Sequence, residues 1–130
     1  MTMRTLLVAD DNRLSRELVR DVFESADWRV VEAGNGQEVL ERLEAASPDL
    51  VLLDLEMPVK DGFAALAEIR NNPRFSRIPV MAVTAKAMQR DRDRIVTAGF
   101  DECITKPIDV AKLRKHVDEL LRSSRKGESP

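Results

Sequence analysis

The sequence predicts an α/β fold: five parallel strands alternating with five helices, with the helices covering both faces of one sheet. Three observations predict it. Unbroken apolar runs recur at residues 6–9, 50–53 and 80–83. A strand that is apolar throughout, rather than at every second residue, is covered on both faces, as strands of parallel sheets are. Between the runs lie longer stretches with apolar residues three and four apart. Strict strand–helix alternation of this kind closes with right-handed crossovers.

Each element has its own reason. Leu6, Leu7, Val8 and Ala9 form the first strand. Asn12, Arg13 and Ser15 start a helix whose stripe is Leu14, Leu18, Val19, Val22 and Phe23. Residues 29–33 make a weaker strand, and Gly34, Asn35 and Gly36 turn the chain after it. Val39, Leu40 and Leu43 mark the second helix, and Ser47-Pro48 precedes the third strand at 50–53. The third helix carries Phe63, Leu66, Ala67 and Ile69 after Asp61, a good N-cap. It ends at Asn71-Asn72-Pro73, because the residue before proline avoids helical angles. After the fourth strand, the stretch 87–98 is the least apolar helix, with Met88, Ile95 and Val96. Gly99 suits the left-handed residue of its C-terminus. Residues 102–105 form the last strand. Asp109 then caps a helix with Val110, Leu113, Val117, Leu120 and Leu121. Residues 1–122 read as the domain and 123–130 as a polar, frayed tail.

Composition narrows the function. A chain of 130 residues is about one domain, large enough to bury roughly two-thirds of its unfolded surface. A single cysteine excludes an internal disulfide. No apolar run approaches the ~20 residues that span a bilayer, and Asp10-Asp11 ends the first run too early for a signal peptide. The net charge of -2 argues against direct nucleic-acid binding. The expectation is a soluble, cytoplasmic domain that contacts neither membrane nor nucleic acid.

In an open doubly wound sheet, ligands bind beyond the carboxyl ends of the strands. Asp10 and Asp11 follow the first strand, Asp54 ends the third, Thr84 ends the fourth, and Lys106-Pro107 follows the fifth. Three carboxylates brought together repel and call for a cation. Oxygen donors without cysteine or histidine select Mg²⁺ or Mn²⁺ over Zn²⁺. A metal, a carboxylate, a hydroxyl and a lysine equip a site for phosphoryl transfer, with a carboxylate able to act as nucleophile. Asp10 and Asp11 taken alone would suit an ordinary strand-to-helix turn, and Lys106-Pro107 alone a bland turn.

Four motifs at strand ends resemble those of response-regulator receiver domains of two-component signalling: Leu-Leu-Val-Ala-Asp-Asp-Asn (6–12), Asp-Leu-Glu-Met-Pro-Val-Lys-Asp-Gly (54–62), Val-Thr-Ala (83–85) and Thr-Lys-Pro-Ile (105–108). The resemblance covers about residues 4 to 121. It extends to single-domain receivers of the chemotaxis and cell-cycle type and to receiver portions of hybrid histidine kinases. It implies the flavodoxin-like strand order 2-1-3-4-5. It implies that Asp54 is the phosphoacceptor and that Asp11 ligates Mg²⁺ directly, with Asp10 acting through water. The backbone carbonyl of Glu56 is implied as a further ligand. Lys106 would pair with the phosphoryl oxygens, Thr84 would move toward them, and the bond before Pro107 would be cis. A histidine kinase or phosphotransfer protein would be the phosphodonor. A downstream protein would be bound at the face of the fourth helix, fifth strand and fifth helix. Such receivers are monomers or weak homodimers.

Three positions stand apart from this pattern. Glu56 and Lys86 would flank the phosphoryl group and tune its lifetime, or form only an exposed ion pair worth ~0–1 kcal/mol. Cys103 stands where the family usually carries an aromatic switch residue, and the chain has no tyrosine at all. A redox role for Cys103 has no nearby cysteine to resolve it. The mixed-charge run 89–94 reads as a solvated helix face or a docking surface, and His116 as a surface or edge residue. Two rival functions fit less well. An aspartyl-phosphate phosphatase needs two aspartates spaced two apart on the first strand, whereas Asp10 and Asp11 are adjacent. A flavin or nucleotide carrier needs a glycine-rich phosphate loop where these acidic residues stand. With about nine residues after the last stripe, and Met1 as a natural start, the chain reads as a stand-alone receiver.

Overall fold

The apolar runs form the three central strands of one sheet, in which alternate side chains serve opposite faces. The structure, a computed structural model, describes residues 3–85 and 89–128. The elements in order are β1 (Thr5–Ala9), α1 (Arg13–Ser25), β2 (Arg29–Ala33), α2 (Gly36–Ala46), β3 (Leu50–Asp54), α3 (Gly62–Asn71), β4 (Val80–Thr84), α4 (Gln89–Ala98), β5 (Glu102–Thr105) and α5 (Val110–Glu128). All strand pairs are parallel, in the order β2-β1-β3-β4-β5. This is the doubly wound arrangement that the motifs implied.

Strand periodicity assigns the two cores. Leu7, Ala9, Val51, Leu53, Val80 and Ala82 face Val39 and Leu43 of α2, Leu66 and Ile69 of α3, and Ile95 of α4. Leu6, Val8, Leu50, Leu52, Met81 and Val83 face Val19 and Phe23 of α1 and Leu113 and Val117 of α5. Trp28 closes the second core, its ring edge-on to Phe23 at 5.4 Å. Fully burying each such aliphatic side chain contributes about 1.5–3 kcal/mol, so β1, β3 and β4 anchor the sheet. The outer strands β2 and β5 are only partly covered.

Short polar side chains start the helices at the edge where the strands end. Asn12 accepts from the Ser15 N–H, Asn35 from Gln37 and Glu38, Asp61 from Ala64, and Asp109 from Ala111 and Lys112. Each satisfies N–H groups that a helix start leaves open. Gly99 takes φ +108° after α4, the left-handed conformation expected of it.

Several side chains depart from the expected stripes. Leu14 and Leu18 are 75% and 44% exposed. The helix meets the sheet along the Val19–Phe23 line, and a four-residue pair one position away lies about 100° round the axis. Ala65, not Ala67, faces the core of α3, and Val96 is 72% exposed on α4. Met88 lies outside the described residues. The backbone of α5 continues to Glu128, so most of the expected tail is helical; no glycine or proline interrupts it before Gly127.

One loop has geometry that fixes the site. After β3, Val59 adopts φ +68°, and the Lys60 N–H donates to the Pro58 carbonyl at 2.7 Å. This three-residue turn places a β-branched residue in a strained conformation, at a cost of order 1–3 kcal/mol. The loop then returns so closely that a Cβ on Gly62 would lie 2.5 Å from the Asp54 carbonyl oxygen, and one on Gly36 would lie 2.1 Å from that of Lys60. Gly62→Ala is therefore expected to destabilise the fold by about 1–3 kcal/mol in urea unfolding, because backbone must move to admit the methyl group. An unchanged midpoint would contradict this close packing.

Candidate functional site

The sheet register brings the acidic residues together. Ala9 pairs with Leu53, so the next residues, Asp10 and Asp54, end neighbouring strands side by side. Asp10 is 3% exposed and Asp54 4% exposed, while Asp11 faces solvent. Oxygens of Asp10, Asp11 and Asp54 lie within 4.8 Å of one another. Lys106, delivered by the end of β5, places Nζ 2.8 Å from Asp54 Oδ2 and 3.1 Å from Asp10 Oδ2.

The remaining carboxylate oxygens are held by backbone. Asp54 Oδ1 accepts from the Glu56 N–H at 3.0 Å, and Asp10 Oδ1 accepts from the Asn12 N–H at 2.9 Å. Each buried carboxylate therefore has one oxygen tied to its own loop and one facing the ammonium. Burial pushes the Asp10 carboxyl above the usual aspartate range; the Asn12 N–H and Lys106 pull against this, and the Asp54 charge adds to it. For Lys106, burial alone would lower the value, but Asp54 and Asp10 together outweigh it and raise it.

Three carboxylates share this edge with one ammonium, which meets only two of them, so the cluster stays negative. The donor set is oxygen only, partly preformed, and open to solvent through Asp11. That suits a hard divalent cation such as Mg²⁺, which keeps several waters of its own.

Thr84 is buried at the end of β4, in register with Thr105, and its carbonyl accepts from the Lys106 N–H at 2.8 Å. The Lys106–Pro107 peptide is cis. Glu56 is exposed; Lys86 lies outside the described residues, and so does any pairing between them. Cys103 is half-buried opposite Ala82, with its thiol pushed up chiefly by burial against the opposing charge of Arg92. It lines a groove of about 510 Å³ between α4 and α5, shared with Val96, Phe100, Lys112 and His116. His116 Nδ1 stands 3.6 Å from Glu102 Oε2.

Two contributors escaped the sequence reading. Pro58 and Gly62 match the family's turn after the acceptor strand, but the positive φ at Val59 has no glycine to announce it. Arg16 was one more arginine on an amphipathic helix, yet its Nη1 donates to the Asp10 carbonyl at 2.6 Å. Its place on α1, on the side that meets the end of β2, is the signal that could have found it.

A doubly wound parallel sheet with an acidic, lysine-bearing pocket at its switch point defines the class of this domain. The family follows from comparison: residues 6–118 match the response regulator receiver domain. The chain belongs to this family and is a receiver domain of two-component signalling. It is 31% identical over 118 residues to the polar-differentiation response regulator DivK of Brucella anthropi, covering 91% of this chain and 96% of that protein. Among solved structures, it resembles the receiver domain of a signal transduction histidine kinase from Syntrophus aciditrophicus. The match is 30% identical with a TM-score of 0.85, covering 98% and 96% of the two chains. The receiver domain of sensor histidine kinase PA1611 from Pseudomonas aeruginosa matches at 28% identity and a TM-score of 0.84, covering 92% of this chain and 98% of that one. That structure holds a magnesium ion coordinated in the active site cleft.

The raised Lys106 value carries a signed prediction for the metal-free protein. Its ammonium contributes stability that is whole below the ordinary lysine value of about 10.4 and is lost as pH rises through the raised folded value. With a chelator present, urea unfolding of wild type and Lys106→Met should differ most near neutrality. The difference should shrink as pH rises above the ordinary lysine value and through the raised folded one. A difference independent of pH would contradict the pairing.

Proposed function

We propose that this receiver takes a phosphoryl group from a phosphohistidine onto Asp54 and, in that state, changes its protein partners. The observation that carries this reading is the position of Asp54. It lies between the acidic pair of β1 on one side and Thr84 and Lys106 on the other, with one oxygen already against a cation. A carboxylate oxygen of Asp54 attacks phosphorus as the bond to the donor imidazole nitrogen breaks, and that nitrogen keeps the electron pair. Lys106 meets the phosphoryl oxygens, and the Glu56 N–H holds the other carboxylate oxygen in place. Asp10, Asp11, Asp54 and the Glu56 backbone carbonyl would hold Mg²⁺, with Mn²⁺ as a substitute. When bound, the ion neutralises charge on the transferred group. Water later attacks the acyl phosphate, so the chain catalyses only its own phosphorylation and dephosphorylation. Glu56 and Lys86 are proposed to set the rate of that second step.

The phosphoryl group adds about -1.5 to -2 charges where Lys106 already sits. Thr84, buried at the adjoining strand end, is the hydroxyl able to turn toward it. The change reaches the face built from α4, β5 and α5 as a population shift between two states. There the groove over Cys103 meets a downstream protein. The action is cytoplasmic, in a monomer or weak homodimer. The likeness to a histidine-kinase receiver also accommodates the same chemistry inside a hybrid kinase.

The exposed side chains of α1 support a place for the donor. Leu14 and Leu18 share one face of the helix that begins just after the acidic pair, and both are open to solvent. One experiment tests acceptor and docking together. With acetyl phosphate and Mg²⁺, wild type and Leu14→Asp should gain one phosphoryl group by intact mass, and Asp54→Asn none. With a phosphorylated donor protein, Leu14→Asp should be at least about tenfold slower than wild type, a docking loss of some 1.4 kcal/mol. Equal modification of Asp54→Asn would overturn the acceptor assignment.

A further inference from the structure

The acidic pair at the end of β1 is one rigid unit. The peptide between Asp10 and Asp11 is planar, so contacts that hold that plane limit how the two residues can turn relative to each other. Two contacts hold Asp10 from either end. Its N–H donates to the Ala33 carbonyl of β2 at 3.1 Å, and its carbonyl, which belongs to the Asp10–Asp11 plane, accepts from Arg16 Nη1 at 2.6 Å. Arg16 is itself fixed. Its Nε donates to Glu32 Oε1 at 3.1 Å, and the other oxygen of Glu32 accepts from Arg20 Nη1 at 2.6 Å. The side chains of Arg16 and Glu32 are only 19% and 23% exposed, which sets them apart from the solvated pairs elsewhere on this helix.

We propose that Arg16 is a positioning residue for the metal pocket, orienting the Asp10–Asp11 peptide, and that Glu32 holds the guanidinium for that task and cancels its charge. The inference rests on the Mg²⁺ reading above. Arginine suits the role because its planar fork bonds two acceptors in fixed directions, here a carbonyl and a carboxylate on different elements. An ammonium can also meet two acceptors, but as a point charge on a flexible stem it lacks the fixed fork that sets both directions. Glu32 matters because an uncompensated cation close to the carboxylates would itself repel a dication.

Orientation and charge predict opposite signs for one substitution. Arg16→Met removes a positive charge near the pocket. If charge were all that mattered, Mg²⁺ would bind more tightly. If Arg16 orients the pair, Mg²⁺ binds more weakly, by about tenfold or more, as is typical when groups that orient metal ligands are lost.

The test is Mg²⁺ titration by calorimetry on the full chain, with thermal unfolding in chelator alongside. Wild type, Arg16→Met, Arg16→Lys, Glu32→Gln and Asp11→Asn are compared. The expected result is a raised Kd in Arg16→Met, a smaller rise in Arg16→Lys, and a rise in Glu32→Gln that fades with added salt. An unchanged or lower Kd in a folded Arg16→Met would overturn the proposal. If that variant does not fold, an unchanged Kd in both Arg16→Lys and Glu32→Gln would overturn it equally. Failure of the underlying reading looks different: wild type would bind no Mg²⁺, or Asp11→Asn would bind it as well as wild type.

Discussion

Two carboxylates buried side by side at the ends of adjacent parallel strands are the constraint on which this structure turns. Each costs several kcal/mol to remove from water, and together they repel. The fold meets that cost locally, with one backbone N–H for each carboxylate and a shared ammonium from β5. The strand order then acquires a chemical reason. The β2-β1-β3-β4-β5 order sets Asp10 beside Asp54, and the last strand must close the sheet to bring Lys106 over both. The compensation is incomplete, and the residual negative charge on oxygen donors suits the site to a hard divalent cation.

The same economy explains why the loops are tight. The turn at Val59 and the close approach of Gly62 to the Asp54 backbone keep the Glu56 N–H on the carboxylate. On the far side of Thr84 the structure is more open. Cys103 places no ring between β4 and the groove that α4 and α5 share. The missing tyrosine therefore has a structural meaning: position 103 puts a small side chain opposite Ala82, and the carbonyl of Thr84 meets the next strand's end through the Lys106 N–H.

Much of this was legible from the residues themselves. The unbroken runs at 6–9, 50–53 and 80–83 suit strands covered on both faces and form the three central strands, and Asn12, Asp61 and Asp109 each cap the helix that follows them. Asp10, Asp11, Asp54, Thr84 and Lys106 are the residues that end or follow the strands, and the structure gathers them on one edge. What stayed hidden depends on three-dimensional angles that a linear pattern does not carry. Leu14 and Leu18 continue an apolar stripe but fall outside the line along which α1 touches the twisted sheet. Val59 is β-branched and gives no hint of a positive φ. Arg16 matters through one carbonyl, and a bond to backbone leaves no mark on the spacing of side chains.

The central claim is that Asp54 alone, of three neighbouring carboxylates, carries the phosphoryl group. Borohydride reduces an acyl phosphate to the corresponding alcohol, so a phosphorylated aspartate becomes homoserine. Treating the acetyl phosphate–modified protein in this way and sequencing its peptides by mass spectrometry reads the acceptor directly. The account predicts homoserine at position 54 and aspartate at 10 and 11. Homoserine at position 10 or 11, with aspartate intact at 54, would contradict it.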